Sequence, residues 1–198
     1  RRQMIHLLSL NSNLKTVAFL QTDAFIISWI EQMMCNKAMN DRQNRFVGVT
    51  LNAIDHLKRI FIHSAPHVTH KSISLILNSF HHLKQLFIRN VDLSELSTPL
   101  YNGQWSSLSP STCMLERIDL SGTRVNDQVV LSLLDIESIR AIDLCHMKHL
   151  NPRTIEQVCA HVNLTSLSLE SMHLSNVAFK LLSQNTSLRR LSLRYSNL

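Results

Sequence analysis

One spacing of aliphatic residues recurs along this 198-residue chain and limits the folds it can adopt. In each copy an aliphatic residue is followed by two other residues, a second aliphatic residue, one other residue and a third aliphatic residue. Six copies begin at Leu57, Leu83, Leu115, Ile139, Leu164 and Leu188, and an earlier one begins at Leu14. The six starting points lie 26, 32, 24, 25 and 24 residues apart. This period predicts a solenoid of stacked repeats, because no single repeat can bury its own apolar face.

The spacing within each copy predicts a short β-strand, in which side chains alternate between two faces. In the copy that begins at Leu115, we expect Ile118 and Leu120 to point into the core. Arg117, Asp119 and Ser121 alternate with them and are expected to face solvent. The equivalent inward residues expected to share one interior are Ile60, Leu86, Ile118 and Ile142.

A helix is predicted to follow the strand in each repeat, because apolar residues recur there at the spacing of one helix face. Two clear runs are Val125, Val129, Val130, Leu133 and Leu134, and Leu174, Val177, Phe179, Leu181 and Leu182. Asp127, Asn151 with Pro152, and Ser175 sit at the start of helical stretches. These residue types are typical of the first turn, where a side chain caps the free backbone N–H groups.

The chain is predicted to form a single domain, 1–198, of about six to seven repeats. Two intervals, near 26–54 and 94–112, break the period and are interpreted as irregular insertions. Met4–Leu10 resembles the helical part of a repeat whose strand is missing, and Leu198 ends just past another strand. Neither end carries the polar capping unit that a free solenoid needs, so we interpret the chain as a fragment of a longer protein.

The repeat from Leu115 to Ser138 contains the sequence Ile-Asp-Leu-Ser-Gly-Thr-Arg-Val-Asn-Asp-Gln-Val-Val. It resembles the leucine-rich repeats of ribonuclease-inhibitor-like solenoids, and in particular those of F-box and other cullin-RING ubiquitin-ligase substrate receptors. The resemblance covers about residues 57–198, with a weaker extension to Met4. It implies an α/β leucine-rich-repeat solenoid, or horseshoe, with a concave parallel β-sheet and convex helices.

The resemblance also implies a protein partner on the concave face. An F-box is not recognisable in this sequence, so ubiquitin-ligase subunits are expected to bind through regions outside this chain. At the position of the family's asparagine or cysteine ladder, this chain has Thr22, Ala65, Val91, Thr123, Met147, Met172 and Ser196. This departure from the family pattern predicts irregular turns.

Outward residues at equivalent positions are expected to form rows across the concave sheet. The middle row reads Ala18, Phe61, Phe87, Asp119, Asp143, Ser168 and Ser192. Phe61 and Phe87 are therefore expected to stand side by side, and clustered aromatics and arginines are typical of interaction hot spots. The candidate partner-binding residues are Arg59, Phe61, His63, Phe87, Arg89, Arg117, Asp119 and Asp143. In the alternative interpretation, the second insertion covers the pair with Tyr101 or Trp105 and makes a local core.

Charge and cysteine content set further limits. The formal net charge of +6 and pI near 9.5 suit an acidic partner, but the basic residues are scattered and predict a mainly solvated surface. The four cysteines form no C-x-x-C pair, which favours reduced thiols in the cytoplasm or nucleus. The sequence begins without a signal-peptide pattern, and no stretch approaches the roughly 20 apolar residues of a membrane helix.

Metal and catalytic sites are not predicted. His63, His67 and His70 are close in sequence, as are Cys145, His146 and His149, but neither group matches a known zinc pattern. Nucleophile elbows, P-loops and dinucleotide fingerprints are also missing from the sequence. Asp119 and Asp143 occupy equivalent positions of adjacent repeats, so they predict an acidic patch. We expect neither an enzyme nor a cofactor.

Three functions remain open on the sequence. The first is a protein–protein interaction module, the partner-binding region of an intracellular adaptor such as a ubiquitin-ligase substrate receptor. The second is an RNA-associated solenoid, favoured by the positive charge and exposed aromatics but opposed by Asp119, Asp143 and Glu170 on the same face. The third is the repeat region of an innate sensor or scaffold. No membrane association is expected.

Overall fold

Seven short strands form one parallel sheet in chain order. They belong to a computed structural model that describes residues 15–20, 57–66, 68–69, 72–73, 76–77, 80–94 and 114–196. The strands are β1 (Thr16–Leu20), β2 (Arg59–His63), β3 (Gln85–Arg89), β4 (Arg117–Asp119), β5 (Ala141–Asp143), β6 (Ser166–Ser168) and β7 (Arg190–Ser192). Each strand coincides with one copy of the aliphatic spacing. The predicted α/β leucine-rich-repeat solenoid is therefore confirmed.

The register of the sheet matches the predicted rows. Phe61 pairs with Phe87, Phe87 with Asp119, and Asp119 with Asp143 along the middle row. The inward residues of β2 to β5, namely Ile60, Leu86, Ile118 and Ile142, are each at most 2% exposed and belong to one core. Because consecutive strands are parallel, the chain must cross from one end of the sheet to the other between them.

Three helices are described on the return path of the later repeats: α1 (Asp127–Leu134), α2 (Pro152–Ala160) and α3 (Asn176–Gln184). As predicted, Asn151 caps α2 and Ser175 caps α3, where they accept hydrogen bonds from the backbone N–H groups of Arg153 and Ala178. The predicted role of Asp127 is wrong. Asn126 caps α1, because its side chain accepts the N–H of Val129 at 2.9 Å.

Asp127 lies one residue further on, in the first turn of α1. Its carboxylate accepts the backbone N–H of Asn151 at 2.8 Å, so it joins α1 to the turn of the next repeat. The apolar face of α3 also differs from the prediction. Val177 is 53% exposed whereas Ala178 is 1% exposed, because the buried face follows the four-residue spacing through Ala178 and Leu182.

The turn after each strand is more regular than the sequence predicted. In six repeats whose turns the structure describes, the residue at the same position has a left-handed backbone, with φ between 49° and 67°. These residues are Ser64, Asn90, Gly122, His146, Ser171 and Tyr195. A left-handed conformation costs a non-glycine residue roughly 1–2 kcal/mol, so stacking of the repeats must offset this strain.

At two positions of the family's asparagine or cysteine ladder, a hydroxyl group makes the hydrogen bond between repeats. Thr123 Oγ1 donates to the carbonyl of Ile88 at 2.9 Å, and Ser196 Oγ donates to the carbonyl of Leu169 at 2.7 Å. Both acceptors lie at the same position of the preceding repeat. The other described ladder positions, Ala65, Val91, Met147 and Met172, are filled by buried apolar side chains. Adjacent repeats are thus joined there by packing.

Replacing Gly122 by alanine is expected to lower the free energy of unfolding by about 1–2 kcal/mol. The φ of Gly122 is +67°, and an added Cβ would lie 2.2 Å from Oδ1 of Asn90. The matched control is Ser171→Gly, because Ser171 occupies the same turn position with φ 58° and should lose strain. Urea unfolding followed by circular dichroism measures both. A Gly122→Ala variant as stable as the wild type would contradict this account of the turn.

The two sequence insertions do not enter the structural description. The interval 26–54, residues 95–112 with Tyr101 and Trp105, and the stretch Met4–Leu10 lie outside the described residues. Whether the second insertion covers the aromatic pair therefore stays a prediction. Within the described ranges, no helix is long and apolar enough to cross a membrane.

Candidate binding surface on the concave sheet

The centre of the concave surface is the stacked pair of Phe61 on β2 and Phe87 on β3. Their ring centroids lie 4.2 Å apart, and the ring planes differ by 6°. Neighbouring strands lie about 4.8 Å apart, so residues in direct register can stack in this way. Both side chains are half-buried. The predicted side-by-side arrangement is confirmed, and the rings remain partly accessible.

Arg117 of β4 supplies the cation next to this pair. Its guanidinium carbon lies 5.6 Å from the centroid of the Phe87 ring, within the range of a cation–π interaction. Arg117 Nε is buried and has no hydrogen-bond partner. Arg117 is paired with Gln85 rather than Phe87, so it reaches the ring diagonally. We call Phe61, Phe87 and Arg117 the aromatic cluster.

The other predicted basic residues around the pair are placed differently. Arg59 is exposed, and its Nε donates to Oγ1 of Thr16 at 3.0 Å. His63 is half-buried, with Nε2 3.3 Å from Nδ2 of Asn90. Arg89 makes an ion pair with Asp119 on β4. Of the three candidate guanidinium groups, those of Arg59 and Arg117 therefore have no carboxylate partner among the described residues.

Asp119 is the largest departure from the expected surface. The prediction that it faces solvent is wrong, because its side chain is fully buried. Arg89 Nε donates to its Oδ2 at 2.8 Å, and Arg89 Nη2 makes a second contact with the same oxygen. Its Oδ1 accepts the backbone N–H of Ser121 at 3.0 Å and the Ser121 hydroxyl at 2.6 Å. The hydrogen bond with Asp119 raises the pKa of Arg89.

Asp143, one strand further on, is half-buried and shares this network. Its Oδ1 lies 2.8 Å from the Ser121 hydroxyl and accepts the backbone N–H of Cys145 at 3.2 Å. A hydroxyl has one proton, so Ser121 links two carboxylates that compete for it. The thiol of Cys145 lies 3.0 Å from the Ser168 hydroxyl. The predicted acidic patch is therefore a hydrogen-bonded network that extends from β3 to β6.

Two regions thus divide the concave surface. Around β2 and β3 lie partly accessible rings and unpaired guanidinium groups. From Asp119 onward the acidic side chains are hydrogen-bonded to serine hydroxyls: Asp119 and Asp143 both contact that of Ser121, and Glu170 accepts the Ser192 hydroxyl at 2.5 Å. The alternation of side chains along each strand predicted the middle row of outward residues. It could not predict that Arg89 on β3 contacts Asp119 on β4.

The sequence predicts no metal site either at His63, His67 and His70 or at Cys145, His146 and His149. No set of three histidine, cysteine or acidic side chains suited to a metal ion occurs in the part of the chain that the structure describes. His146 is exposed, while the His149 ring lies 2.9 Å from the carbonyl of Val125. His67 and His70 lie outside the described residues.

Alkylation of Cys145 and Cys159 is expected to be slow in the folded chain. Both thiols are free and buried, and burial raises the pKa of Cys145 to about 11 and that of Cys159 to about 12. At pH 8 only about one Cys145 thiol in a thousand is then the reactive thiolate. Peptide mass spectrometry after iodoacetamide treatment measures each site, and the same chain in urea is the control. The rate should keep rising past pH 9, and a plateau there would contradict the raised pKa.

Comparisons with known proteins add little detail. No family model matches the chain, and no curated protein matches its sequence. Among solved structures, human trophoblast glycoprotein, also named Wnt-activated inhibitory factor 1, aligns with a TM-score of 0.47 and 17% identity over 73% of this chain and 55% of that one. An internalin from Listeria monocytogenes aligns with a TM-score of 0.43 and 12% identity over 72% and 49%. The chain spans about half the length of either protein.

Proposed function

We propose that this chain is a protein-binding repeat module and that the aromatic cluster is the centre of its binding surface. The stacking of Phe61 on Phe87 on the outward face carries this proposal. Partly exposed rings lose apolar contact with water when a partner covers them. Aromatic and arginine side chains at the middle of a surface are the residue types that dominate interface energies.

The concave position favours binding of an extended or convex partner. Neighbouring strands place equivalent side chains at regular intervals, so a partner that lies across the sheet contacts several repeats at once. The ion pair with Arg89 leaves the buried carboxylate of Asp119 engaged within the protein. We therefore propose binding without turnover, with no cofactor.

At a finer level, we propose that the chain is the substrate-holding part of an intracellular adaptor, such as a ubiquitin-ligase substrate receptor in the cytoplasm or nucleus. Support comes from the resemblance of the repeat at Leu115–Ser138 and from the unpaired thiols of Cys145 and Cys159. Ligase subunits would bind through regions outside this chain. Their co-isolation with the full-length protein, but not with this chain alone, is the expected result.

Replacing Phe61 and Phe87 together by alanine is expected to weaken partner binding by about a hundredfold to a thousandfold, since hot-spot aromatics each contribute about 2 kcal/mol and the contributions of two stacked rings do not fully add. The chain, immobilised, is used to isolate proteins from cytoplasmic and nuclear extracts, and the captured proteins are compared between wild type and variant. Thermal unfolding of both is followed in parallel. The variant should lose its specific proteins and keep a cooperative transition.

Tyr195→Ala is the matched control, because Tyr195 is an aromatic residue 85% exposed in a turn away from the aromatic cluster. It should leave capture unchanged. Capture that survives the double substitution would refute the proposed surface. Capture abolished by nuclease treatment would instead favour the RNA-associated solenoid. A collapse of thermal stability in the double variant would show that the rings belong to a local core.

A further inference from the structure

Among the described residues, one face of the Phe61 ring lacks the cover that the Phe87 ring has. Its other face stacks on Phe87, whose far side is approached by the Arg117 guanidinium. On the β1 side, the residue in register with Phe61 is Ala18. Ala18 is exposed and ends at its Cβ. Within the described part of the chain, a step therefore lies above Ala18, with an aromatic ring as its wall.

Arg59 lies beside this step. It precedes Phe61 by two residues on the same strand, so both side chains lie on the same face of the sheet. Its Nε donates to a neutral hydroxyl, that of Thr16, and no described carboxylate makes an ion pair with it. Guanidinium groups bind carboxylates with paired N–H donors. The step thus combines an apolar ring wall with a free cationic group.

Resting on the proposed function, we infer that the partner is an acidic protein segment in which an apolar side chain lies next to a carboxylate. The apolar side chain stacks on Phe61 above Ala18, and the carboxylate binds Arg59. Arg117 extends the positive region on the opposite side of the stack. The attraction between the guanidinium groups and the acidic segment therefore provides specificity, and the contact of its apolar side chain with the Phe61 ring provides affinity.

The charge distribution favours an acidic protein segment over single-stranded RNA. An RNA strand needs basic side chains along its phosphate backbone as well as aromatic stacking. The outward residues of β5 and β6 are Ala141, Asp143, Ser166 and Ser168, none of which is basic. The two guanidinium groups beside the stacked rings, those of Arg59 and Arg117, suit one or two carboxylates, whereas the exposed Arg190 lies three strands beyond Arg117.

A random-peptide phage library, selected on the 198-residue chain at physiological salt, tests this inference. Enriched peptides should carry Asp or Glu within two positions of Phe, Trp, Leu or Ile. The strongest of them is then synthesised, and its affinity is measured against variants. Ala18→Phe places a ring in the step and should weaken binding about tenfold or more. Arg59→Gln should weaken it about fivefold, and added salt should reduce that difference.

Arg190→Gln is the matched control, since Arg190 is exposed in the same row on β7 and lies far from the step. It should leave the affinity unchanged, and Arg59→Lys should retain part of it. Thermal unfolding confirms that Ala18→Phe is folded. The affinity of the same peptide for the Phe61→Ala/Phe87→Ala variant tests the proposed binding surface separately from the proposed acidic partner.

Each other outcome is decisive. Two results would overturn the inference but not the proposed function. In the first, peptides that need the aromatic cluster for binding carry no acidic residue. In the second, their affinity is the same for Arg59→Gln as for the wild type. A library that yields no peptides, or only peptides that bind the double alanine variant equally, would overturn both. Binding of a poly-uridine oligonucleotide that depends on Phe61 would overturn the inference in favour of RNA.

Discussion

Replacing Asp119 by alanine is expected to lower the free energy of unfolding by about 2–4 kcal/mol. The carboxylate is fully buried and accepts hydrogen bonds from Arg89 and from the backbone and hydroxyl of Ser121. Without it, the Ser121 N–H loses its acceptor and a cavity opens beneath the sheet surface. Arg89 is 48% exposed, so water can solvate its guanidinium and limit the loss. Urea unfolding followed by circular dichroism measures the change.

Further variants identify the origin of this effect. Arg89→Met leaves the buried carboxylate without its cation and should cost about 3–5 kcal/mol. Asp143→Ala, at the paired position of β5 but only half-buried, should cost roughly 1 kcal/mol. The double variant Arg89→Met/Asp119→Leu should recover much of the loss, because an apolar pair needs no charge compensation. With Asp119→Leu as the second single variant, a loss in the double variant equal to the sum of the two single losses would show that the two side chains act independently.

The register of the sheet could be predicted because the repeat spacing fixes both the strand and its phase. Once Ile118 and Leu120 point inward, Asp119 must lie in the outward row, and neighbouring repeats follow. The stacking of Phe61 on Phe87 is a direct consequence, since their positions in the spacing are identical. For this reason the fold and the centre of the candidate surface were accessible from the sequence.

The burial of Asp119 could not be predicted in the same way. Alternation assigns a side chain to a face, but its exposure depends on which neighbours reach over it. The long side chain of Arg89 crosses to the next strand and covers the carboxylate, while Ser121 turns back towards it. A charge assigned to the surface is thus held inside the structure. The argument against RNA binding from Asp119 is correspondingly weaker than the sequence indicated, and the lack of basic residues on β5 and β6 replaces it.

The turns show a second limit of sequence patterns. Glycine occurs at one of the six left-handed positions, Gly122, while serine, asparagine, histidine and tyrosine occupy the rest. Glycine, the usual sequence signal for a left-handed residue, is therefore absent from all but one of these described turns. Stacking imposes the same turn on each repeat whatever its residue. The period of the aliphatic residues would have located these turns had it been applied to the loops as well as to the strands.

Stacking also determines the second large effect, the cost of truncating an inward leucine. Leu167 on β6 and Leu191 on β7 are paired in register and have the same position in their repeats. Leu167 is 1% exposed, whereas Leu191 is 44% exposed. Leu167→Ala is expected to lower the free energy of unfolding by about 3–4 kcal/mol, and Leu191→Ala by roughly 1 kcal/mol. Chemical denaturation of both variants gives the comparison.

The contrast tests whether each repeat is stabilised by its neighbours or by its own residues. In a solenoid, a repeat's stability is the sum of a small intrinsic contribution and the interfaces with adjacent repeats. Truncating Leu167 opens a cavity between β5 and β7, the strands on either side of β6. Truncating Leu191 removes apolar surface that is already close to water. Equal losses in the two variants would mean that the leucine position alone sets the cost, and the dependence on stacking would have to be abandoned.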